Sequence, residues 1–564
     1  MKTDDIQQPM TRHAALDILG NPIFRRYCQS RLRIRGLVIS LLMTVLGSGF
    51  FVSFFAAVGS RADASGVDAA RVSVIALLVI QSLILFLIGT AQAAGGMVAE
   101  RDEGVIDYQR LVPMSPLAKV LGYLFGLPVR EWAMFLASLP FTVWCLWRGE
   151  VSWRVWLPLY TVLFSSTMVY HLTGLVAGTV VRNRRWAFLC SIGIVFALYT
   201  IVPQLANFGL VFFKYFTLGP VFSECLPGLL PRDAAAAVST VQRLAPVVKF
   251  FGLDFSEWVF TLFTQGSLIL TFVVMLRRRW QRAEAHLMGK IWAAGLFVWA
   301  QVMLLGNALP LIDPGNLFPS REFGRMFGPV YRAAAGWRPD PTEAVVLSGV
   351  YGAVTVALLA LISGIITPSV DRQIQGWRRA RKLGQRGIPW LSDAGSGWWF
   401  TLLMAVAGAV GWFVFTRALV ESRWFPGQVL PVPVFGYFLA LVLGGGLALQ
   451  ALLETRGAQA QRLAFILVGI VPLMAGSVLC VISEALYPLG AWVLGISPVA
   501  QPVFAAASQM PIADLPPSVA RAVPRAFEFW TVVGLLAAFW LARDLWRRRS
   551  AMAAAARGTE KDGR

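Results

Sequence analysis

Long apolar segments alternate with short polar ones along most of the chain. An apolar run of about 20 residues is long enough to cross the hydrocarbon core of a bilayer as a helix. This rule predicts spans at residues 36–58, 72–97, 121–147, 155–180, 186–206 and 257–276, and then at 291–311, 345–367, 398–418, 433–453, 463–487 and 527–546. The predicted fold class is therefore all-α, a polytopic integral membrane protein of about twelve transmembrane helices.

The composition agrees with this pattern. The chain is 57% hydrophobic and only 14% charged, whereas a soluble domain carries about 25% charged residues. Its formal charge of +20 would suggest nucleic-acid binding in a soluble protein. Here, however, Lys and Arg flank the apolar segments, where they mark the cytoplasmic side and meet anionic lipid headgroups. Membrane lipid is thus an expected partner, and nucleic acid is not.

The basic flanks also predict the orientation. The residues before the first span contain no short apolar core followed by a cleavage site, so we expect an uncleaved anchor. Arginines precede that span, and further basic links at 182–185 and 277–282 fall on the same side. The last span ends in Arg547-Arg548-Arg549. By the positive-inside rule both termini are cytoplasmic, and we expect a multi-pass protein of the bacterial inner (plasma) membrane.

The densest run of charge near the front of the chain lies between the second and third spans. Helical spacing relates Asp102, Glu103, Ile106, Asp107 and Arg110. Pro113 ends this helix because it lacks an N–H group and clashes with the preceding turn. Ser115 followed by Pro116 is typical of a helix start, so the next helix begins there and runs into the third span. A short polar helix between two spans is predicted.

This loop resembles a known one. The sequence Glu100-Arg101-Asp102-Glu103-Gly104, then Leu111-Val112-Pro113-Met114-Ser115, then Gly122 and Gly126, is similar to the loop between the second and third spans of second-type ABC exporter permeases. The resemblance covers roughly residues 20–280 and implies a coupling helix that docks on a separate ABC ATPase subunit. The implied docking residues are Glu100, Arg101, Asp102, Glu103, Gly104, Asp107, Arg110, Pro113 and Ser115. The alternative is a plain solvated loop.

The same resemblance gives two further expectations. Arginines alternate with apolar residues from 21 to 35, which suits either an amphipathic elbow helix in the headgroup layer or an ordinary charged flank. Residues 207–256 contain short apolar pieces cut by Pro220, Pro227 and Pro231. They suit either re-entrant segments on the outer side or an interfacial loop, because broken helices occur at membrane depth where protein surrounds them.

The second half repeats the layout of the first. A basic stretch precedes its first span, a charged loop follows its second, and a proline-rich segment at 488–526 precedes its last. The charged loop is a possible second coupling loop, with candidate residues Asp371, Arg372, Trp377, Arg378 and Arg379. Either one chain carries both membrane halves of a transporter, or a permease domain is followed by an unrelated one. The predicted organisation is a flexible 1–20, a six-span domain at 21–282, a second at 283–549 and a disordered tail at 550–564.

Several kinds of chemistry are missing from the sequence. Gly289-Lys290 lacks the earlier Gly and the following Ser or Thr of a phosphate-binding loop, since Glu284 and Ile291 occupy those positions. The 5 cysteines include no C-x-x-C pair, and with only 3 histidines no catalytic or metal site can be assembled. We therefore expect no cofactor in this chain and no enzyme activity, with ATP and Mg held and hydrolysed by the partner subunit.

Two alternative functions depend on acidic residues. Asp63 and Asp68 in the first outer loop could serve a membrane glycosyltransferase that acts on a lipid-linked sugar. Arg130 and Glu131 in the third span could serve an ion-coupled secondary transporter, unless that span begins after them and they lie at the interface. The favoured function is the membrane-spanning permease subunit of an ATP-driven exporter that works by alternating access. The sequence does not indicate the transported substrate.

Overall fold

The structure is a computed structural model that describes residues 17–61, 65–181, 183–231, 248–282, 285–312, 341–385, 387–422, 429–508 and 516–558. In these ranges the chain is helical apart from one short hairpin of two strands. It forms two compact units. Unit 1 contains Met1–Gln204, Phe213–Lys249 and Leu253–Glu284, and unit 2 contains Leu205–Phe212, Phe250–Gly252 and Ala285–Arg564.

The first half of the chain begins with a short helix and then builds long ones. In chain order the helices are α1 (Pro22–Arg31), α2 (Ile34–Arg61), α3 (Gly66–Ser82), α4 (Thr90–Asp102), α5 (Val105–Leu111), α6 (Pro116–Gly126), α7 (Val129–Arg148), α8 (Trp153–Val180), α9 (Arg184–Phe196), α10 (Gly219–Cys225) and α11 (Glu257–Gln281). A π-helical segment, Leu83–Gly89, joins α3 to α4, and another, Ala197–Ile201, follows α9. Short 3₁₀ helices lie at Val202–Phe208, Val211–Phe216 and Leu226–Gly228, and the strands are β1 (Val248–Phe250) and β2 (Leu253–Phe255).

The second half has a similar run of long helices. They are α12 (Lys290–Ile312), α13 (Pro341–Ile366), α14 (Val370–Lys382), α15 (Trp398–Val420), α16 (Val432–Ala464), α17 (Val471–Ile482), α18 (Tyr487–Leu494), α19 (Gln501–Ala507) and α20 (Pro517–Gly558). A π-helical segment, Phe465–Ile470, joins α16 to α17, and a 3₁₀ turn lies at Glu484–Leu486. Helix α16 is kinked at Gly457, which has φ +80°.

The predicted membrane spans are confirmed. Among the described residues, 11 helices are long and apolar enough to cross a membrane, or up to 12 if a bent pair counts as one span. The bent pair is α6 and α7, which meet at an angle of 55°. Pro128 lies at this break and cannot continue the hydrogen bonding of α6. The chain is thus an all-α, multi-pass membrane protein.

Small residues let the spans of unit 1 approach closely. A Cβ atom at Gly174 of α8 would lie 2.7 Å from the Thr90 carbonyl oxygen, and one at Gly178 would lie 2.7 Å from Met97. Such contacts between small residues are the main means of packing helices in lipid, where the hydrophobic effect between helices is absent. They bring α4 against α8, so the end of α4 holds the following loop in a fixed place.

Three expectations about boundaries need correction. The tail predicted as disordered from 550 is helical to Gly558, because the alanine-rich residues after Arg549 continue α20. Helix α20 begins at Pro517, ten residues before the predicted span, with Pro524 inside it. Residues 102–110, predicted as one helix, are divided between the end of α4 at Asp102 and the start of α5 at Val105. Residues 1–16 and 559–564 lie outside the described residues, as do residues 313–340 between the predicted spans 291–311 and 345–367.

The segment predicted as re-entrant consists of short pieces. From Val202 to Gly228, a range that the structure describes in full, each helix has seven residues or fewer. Tyr215, Val221 and Leu229 are almost completely buried within unit 1. These pieces are too short to cross a bilayer, and protein surrounds them, which is the setting in which broken helices are tolerated.

Candidate functional site

A left-handed glycine separates α4 from α5. Helix α4 ends at Asp102, Glu103 caps it, and Gly104 has φ +72° before α5 starts at Val105. The single helix predicted through 102–110 is therefore wrong, because a residue in this conformation ends one helix and turns the chain. The turn leaves α5 as a separate helix of 7 residues.

Both ends of the link from α5 to α6 are fastened. Ser115 accepts a hydrogen bond from the Ala118 N–H at 3.1 Å, so the predicted helix start at Ser115 and Pro116 is confirmed. The ammonium group of Lys119, on α6, donates to the carbonyl oxygens of Gln109 at 2.6 Å and Val112 at 3.0 Å. These carbonyls lie at the C-terminal end of α5, where a cation is favourable. Lys119 is 3% exposed and fixes α5 to α6.

One side of α5 packs into unit 1. Ile106 is 7% exposed and belongs to a core cluster with Ile23 of α1, Tyr123 of α6 and Trp280 of α11. Arg110 pairs with Asp107 one turn earlier and also donates to a carbonyl near the end of α11. Helix α5 thus has a buried side that contacts the spans around it.

The other side of α5 faces outward. Tyr108 is 66% exposed and Leu111 is 83% exposed. Asp107 lies one position before Tyr108 and is also exposed. We call Asp107, Tyr108 and Leu111 the α5 face. Exposed aromatic and aliphatic side chains outside the apolar spans are typical of sites that another protein covers.

Two of the predicted docking residues are held inside the unit instead. Arg101 donates to the Val181 carbonyl at the end of α8 at 2.7 Å. Glu100 is 13% exposed and accepts a hydrogen bond from Arg26 of α1 at 2.5 Å. Asp102, Glu103, Gly104, Pro113 and Ser115 are exposed, and Arg110 is partly buried. The predicted residues thus divide into an inner pair and an outer group.

Glu100 is the centre of a polar cluster between α1, α4 and α6. Its second oxygen accepts from the Tyr123 hydroxyl at 3.2 Å. Tyr123 stacks on Trp280 with 5.0 Å between ring centroids. Burial lowers the pKa of Arg26, but the hydrogen bond and charge of Glu100 outweigh this effect, so the net shift is upward. The contact between Arg26 and Glu100 ties α1 to the end of α4.

Helix α1, predicted as the elbow, packs on glycines of α6. A Cβ atom at Gly122 would lie 2.8 Å from the Asn21 side chain, and one at Gly126 would lie 2.7 Å from the Tyr27 ring. Asn21 also donates to the Ala118 carbonyl at 2.7 Å. The sequence pattern gives no sign of the roles of Asn21 and Tyr27, although the spacing of Gly122 and Gly126 is a signal of close helix packing.

The second charged loop has a different character. Helix α14 buries Gln373 and Ala380 and exposes Asp371, Arg378 and Arg379, while Arg372 and Trp377 are partly buried. Gln373 donates at 3.1 Å to Glu454 of α16, which also pairs with Arg549 of α20. Helix α14 is thereby anchored within unit 2.

The link from α14 to α15 is held by a buried lysine. The Lys290 ammonium group, at the start of α12, donates to four carbonyl oxygens at 2.7 to 3.1 Å. They belong to Trp390, Ser392, Gly395 and Ser396. In the sequence, Lys290 belongs to an incomplete phosphate-binding motif; its observed contacts are structural.

An apolar cavity of about 280 Å³ lies among α7, α8 and the π-helical segment Leu83–Gly89 of unit 1. This volume is roughly twice that of a dry cavity known to bind benzene, which measures about 150 Å³. Its wall includes Leu85, Trp132, Phe135, Leu139, Val143 and Phe164. Nearby polar groups are satisfied by one another, since Gln81 bonds to Tyr160, Ser138 and Thr142 at 2.8 to 2.9 Å. The cavity therefore presents carbon atoms.

The acidic residues of the alternative functions lie in different settings. Glu131 is completely buried in the first turn of α7, 3.1 Å from Arg130, and its Oε2 atom has no hydrogen-bond partner within the described part of the chain. Asp68 forms the N-terminal cap of α3 with Ser65. Asp63 lies outside the described residues. Hence Asp68 has a structural role that does not depend on catalysis.

The described residues include no group of three His, Cys, Asp or Glu side chains close enough to hold a metal ion. Comparison of the chain with protein-family models, with curated proteins and with solved structures gives no match.

Proposed function

We propose that this chain is the membrane-spanning permease subunit of an ATP-driven exporter, and that the α5 face is the docking site for a separate ABC ATPase. The observation that carries the proposal is the attachment of α5. Lys119 fixes α5 to α6, while Tyr108 and Leu111 on its other side stay exposed. A partner that grips the exposed side would move α6 together with α5.

The packing of α5 suits the transmission of force. Helix α6 leads through a bend of 55° into α7, so a displacement of α5 acts on a span directly. The Glu100 cluster holds α1 and the end of α4 against the same helix. Packed helices change between discrete arrangements instead of bending continuously. ATP binding and hydrolysis in the partner would then drive alternating access in this subunit.

The proposal includes a location and a partner chemistry. The chain would lie in a bacterial inner membrane with both termini and α5 in the cytoplasm, as its basic flanks favour. Asp102, Glu103 and Asp107 give the exposed loop a negative charge. A matching basic surface on the ATPase would orient the encounter, while Tyr108 and Leu111, once the ATPase covers them, would supply most of the affinity.

Co-purification tests this proposal. The chain is tagged at its carboxyl end, extracted from its native membrane in mild detergent, and its captured proteins are sequenced for a phosphate-binding loop. We expect an ATPase with the wild type, and a loss of capture with Tyr108→Ala/Leu111→Ala, since each interface anchor contributes about 2 kcal/mol or more.

The control is Leu136→Ala/Trp147→Ala on α7, which removes two side chains of similar exposure, 60% and 76%. This variant should capture the ATPase as the wild type does. If the wild type captures none, the proposed function is wrong. If both variants capture it equally well, α5 is not the docking site.

One observation favours a second candidate, an ion-coupled secondary transporter. Glu131 is a buried carboxylate in the first turn of α7, and a buried carboxylate inside a bilayer commonly marks an ion or proton pathway. Glu131→Gln in proteoliposomes separates the two functions. An ATP-driven exporter keeps its ATP-dependent transport in this variant, whereas a proton-coupled transporter loses uptake driven by a pH gradient.

A further inference from the structure

Helices α5 and α14 occupy corresponding places in the layout of the two halves, but most of the exposed charges around α5 are acidic and most of those on α14 are basic. The exposed acidic residues around α5 are Asp102, Glu103 and Asp107. The exposed residues of α14 are Val370, Asp371, Ile374, Gln375, Arg378, Arg379, Arg381 and Lys382. One surface of a partner protein cannot complement both signs. Two copies of one ATPase would therefore fit α5 and α14 unequally.

The exposed residues of α14 form one stripe. Their spacing of three or four places them along a single side of the helix, while Gln373 and Ala380 are buried on the other. The basic residues are concentrated in the last turns, with Arg378, Arg379 and Lys382 in the stripe. A cluster of Lys and Arg immediately beside a membrane span is typical of segments that bind anionic lipid headgroups.

The ends of α14 lie close to membrane spans. Three residues separate it from α13, and three residues of extended chain reach about 10 Å. The link to α15 exposes tryptophans at the start of that span, with Trp390 at 61%, Trp398 at 38% and Trp399 at 56%. Exposed tryptophans at the end of a span are typical of the headgroup layer.

A second element adds to the same surface. Helix α14 contacts α20 within unit 2, and near the carboxyl end of α20 Arg543 and Arg547 are exposed, as is Trp546 at 71%. Arginine and tryptophan thus occur together on both elements. The Gln373, Glu454 and Arg549 contacts fix α14 in this position.

We propose that α14 is a membrane-surface helix that binds the headgroups of anionic phospholipids through Arg378, Arg379 and Lys382. The chemistry fits because a phosphodiester headgroup carries a negative charge, and each basic residue near an anionic leaflet adds attraction that salt screens. The proposal does not depend on the docking role of α5. It assigns α14 to lipid and not to an ATPase.

Photo-crosslinking identifies what covers the stripe. A photoreactive amino acid replaces Ile374, which is 36% exposed in the middle of the stripe, and the full chain is irradiated in native membranes. We expect phospholipid adducts by mass spectrometry. A protein adduct at this position, or no adduct, overturns the proposal. The same probe at Leu111 reports separately on α5, so the two proposals fail independently.

Lipid binding by the purified chain tests the charges. Native mass spectrometry is used to compare phosphatidylglycerol with phosphatidylcholine. Arg378→Gln/Arg379→Gln/Lys382→Gln should weaken phosphatidylglycerol binding at the most favourable site roughly 100-fold and leave phosphatidylcholine binding unchanged. The preference should also fall at high salt. An unchanged preference in the triple variant overturns the proposal.

A charge-conserving variant separates lipid from protein recognition. Arg378→Lys/Arg379→Lys keeps the positive charge but removes the planar fork that binds carboxylates in a bidentate manner. Binding to phosphatidylglycerol should stay within about 3-fold of the wild type, since attraction to a leaflet depends on charge. A loss as large as in the Gln variant would indicate a site shaped for a particular carboxylate and would contradict the proposal.

Discussion

Replacing Glu100 by Gln removes the charge at the centre of the cluster that joins α1, α4 and α6, and it keeps the shape of the side chain. The Arg26 guanidinium keeps its charge in this variant, so the substitution removes the Coulomb attraction between the two groups, which is largest where water is excluded. The Arg26 side chain is 38% exposed, so solvent screens the ion pair. We therefore expect Glu100→Gln to weaken the attachment of α1 by about 1 kcal/mol. That free energy corresponds to a roughly 5-fold larger open population of α1.

Hydrogen–deuterium exchange measures this opening directly. Peptides that cover Pro22–Arg31 should exchange about 5-fold faster in Glu100→Gln than in the wild type, because local opening limits their exchange. Asp102→Asn is the matched control, since this carboxylate is 53% exposed and pairs with the adjacent Arg101. It should leave α1 unchanged. Equal exchange in Glu100→Gln and the wild type, or an equal effect of both variants, would refute the role given to Glu100.

Other substitutions test further parts of the structure. Gly104→Ala should destabilise the turn before α5 by about 1 kcal/mol, because Gly104 has φ +72°, a conformation that side chains disfavour. A Cβ atom there would meet no neighbour, so no clash adds to this cost. Hydrogen–deuterium exchange of Val105–Leu111 measures the effect. Gly126→Val should detach α1 from α6, since even a Cβ atom at this position would lie 2.7 Å from the Tyr27 ring. Trypsin should then cleave the chain near Arg31. Lys290→Met removes about 3 kcal/mol of hydrogen bonding, so hydrogen–deuterium exchange of residues 389–396 should become roughly 100-fold faster. The control variant Lys382→Met, on the surface, should leave the exchange of these residues unchanged.

The spans could be predicted because the bilayer imposes one strong rule. A helix must present about 20 apolar residues to cross it, and a shorter or more polar run fails. The predicted run at 398–418 and the observed helix Trp398–Val420 differ by two residues at one end. Ser115 and Pro116 were equally informative, since capping depends on two neighbouring residues.

The errors arose where a local pattern competes with another local rule. Helical spacing from Asp102 to Arg110 suggested one helix, but a glycine in the middle of it adopts the left-handed conformation that side chains avoid. The proline-rich segment at 488–526 was predicted to precede the last span, but α20 already begins at Pro517, because proline is well accommodated in the first turn of a helix. Such choices depend on which rule the surrounding packing favours.

The partners of the candidate site could not be predicted, because they are distant in sequence. Arg26 and Glu100 are separated by 74 residues, and Lys290 bonds to carbonyls about 100 residues later. A pattern of charges identifies Glu100 as polar but does not show that it points inward. Only the packing of α1 on Gly122 and Gly126 brings these groups together.

A repeated layout does not imply a repeated function. Both halves place a short charged helix after their second span, but α5 exposes Tyr108 and Leu111 beside acidic residues, whereas α14 exposes arginines beside tryptophans. Binding of a protein over apolar side chains that protrude outside the spans is favourable, because it removes them from water. A basic stripe at the end of a span is stabilised by contact with an anionic leaflet. The order of spans is set by the bilayer, while the charge of each loop is free to differ. The partner of each loop therefore follows from its own exposed chemistry.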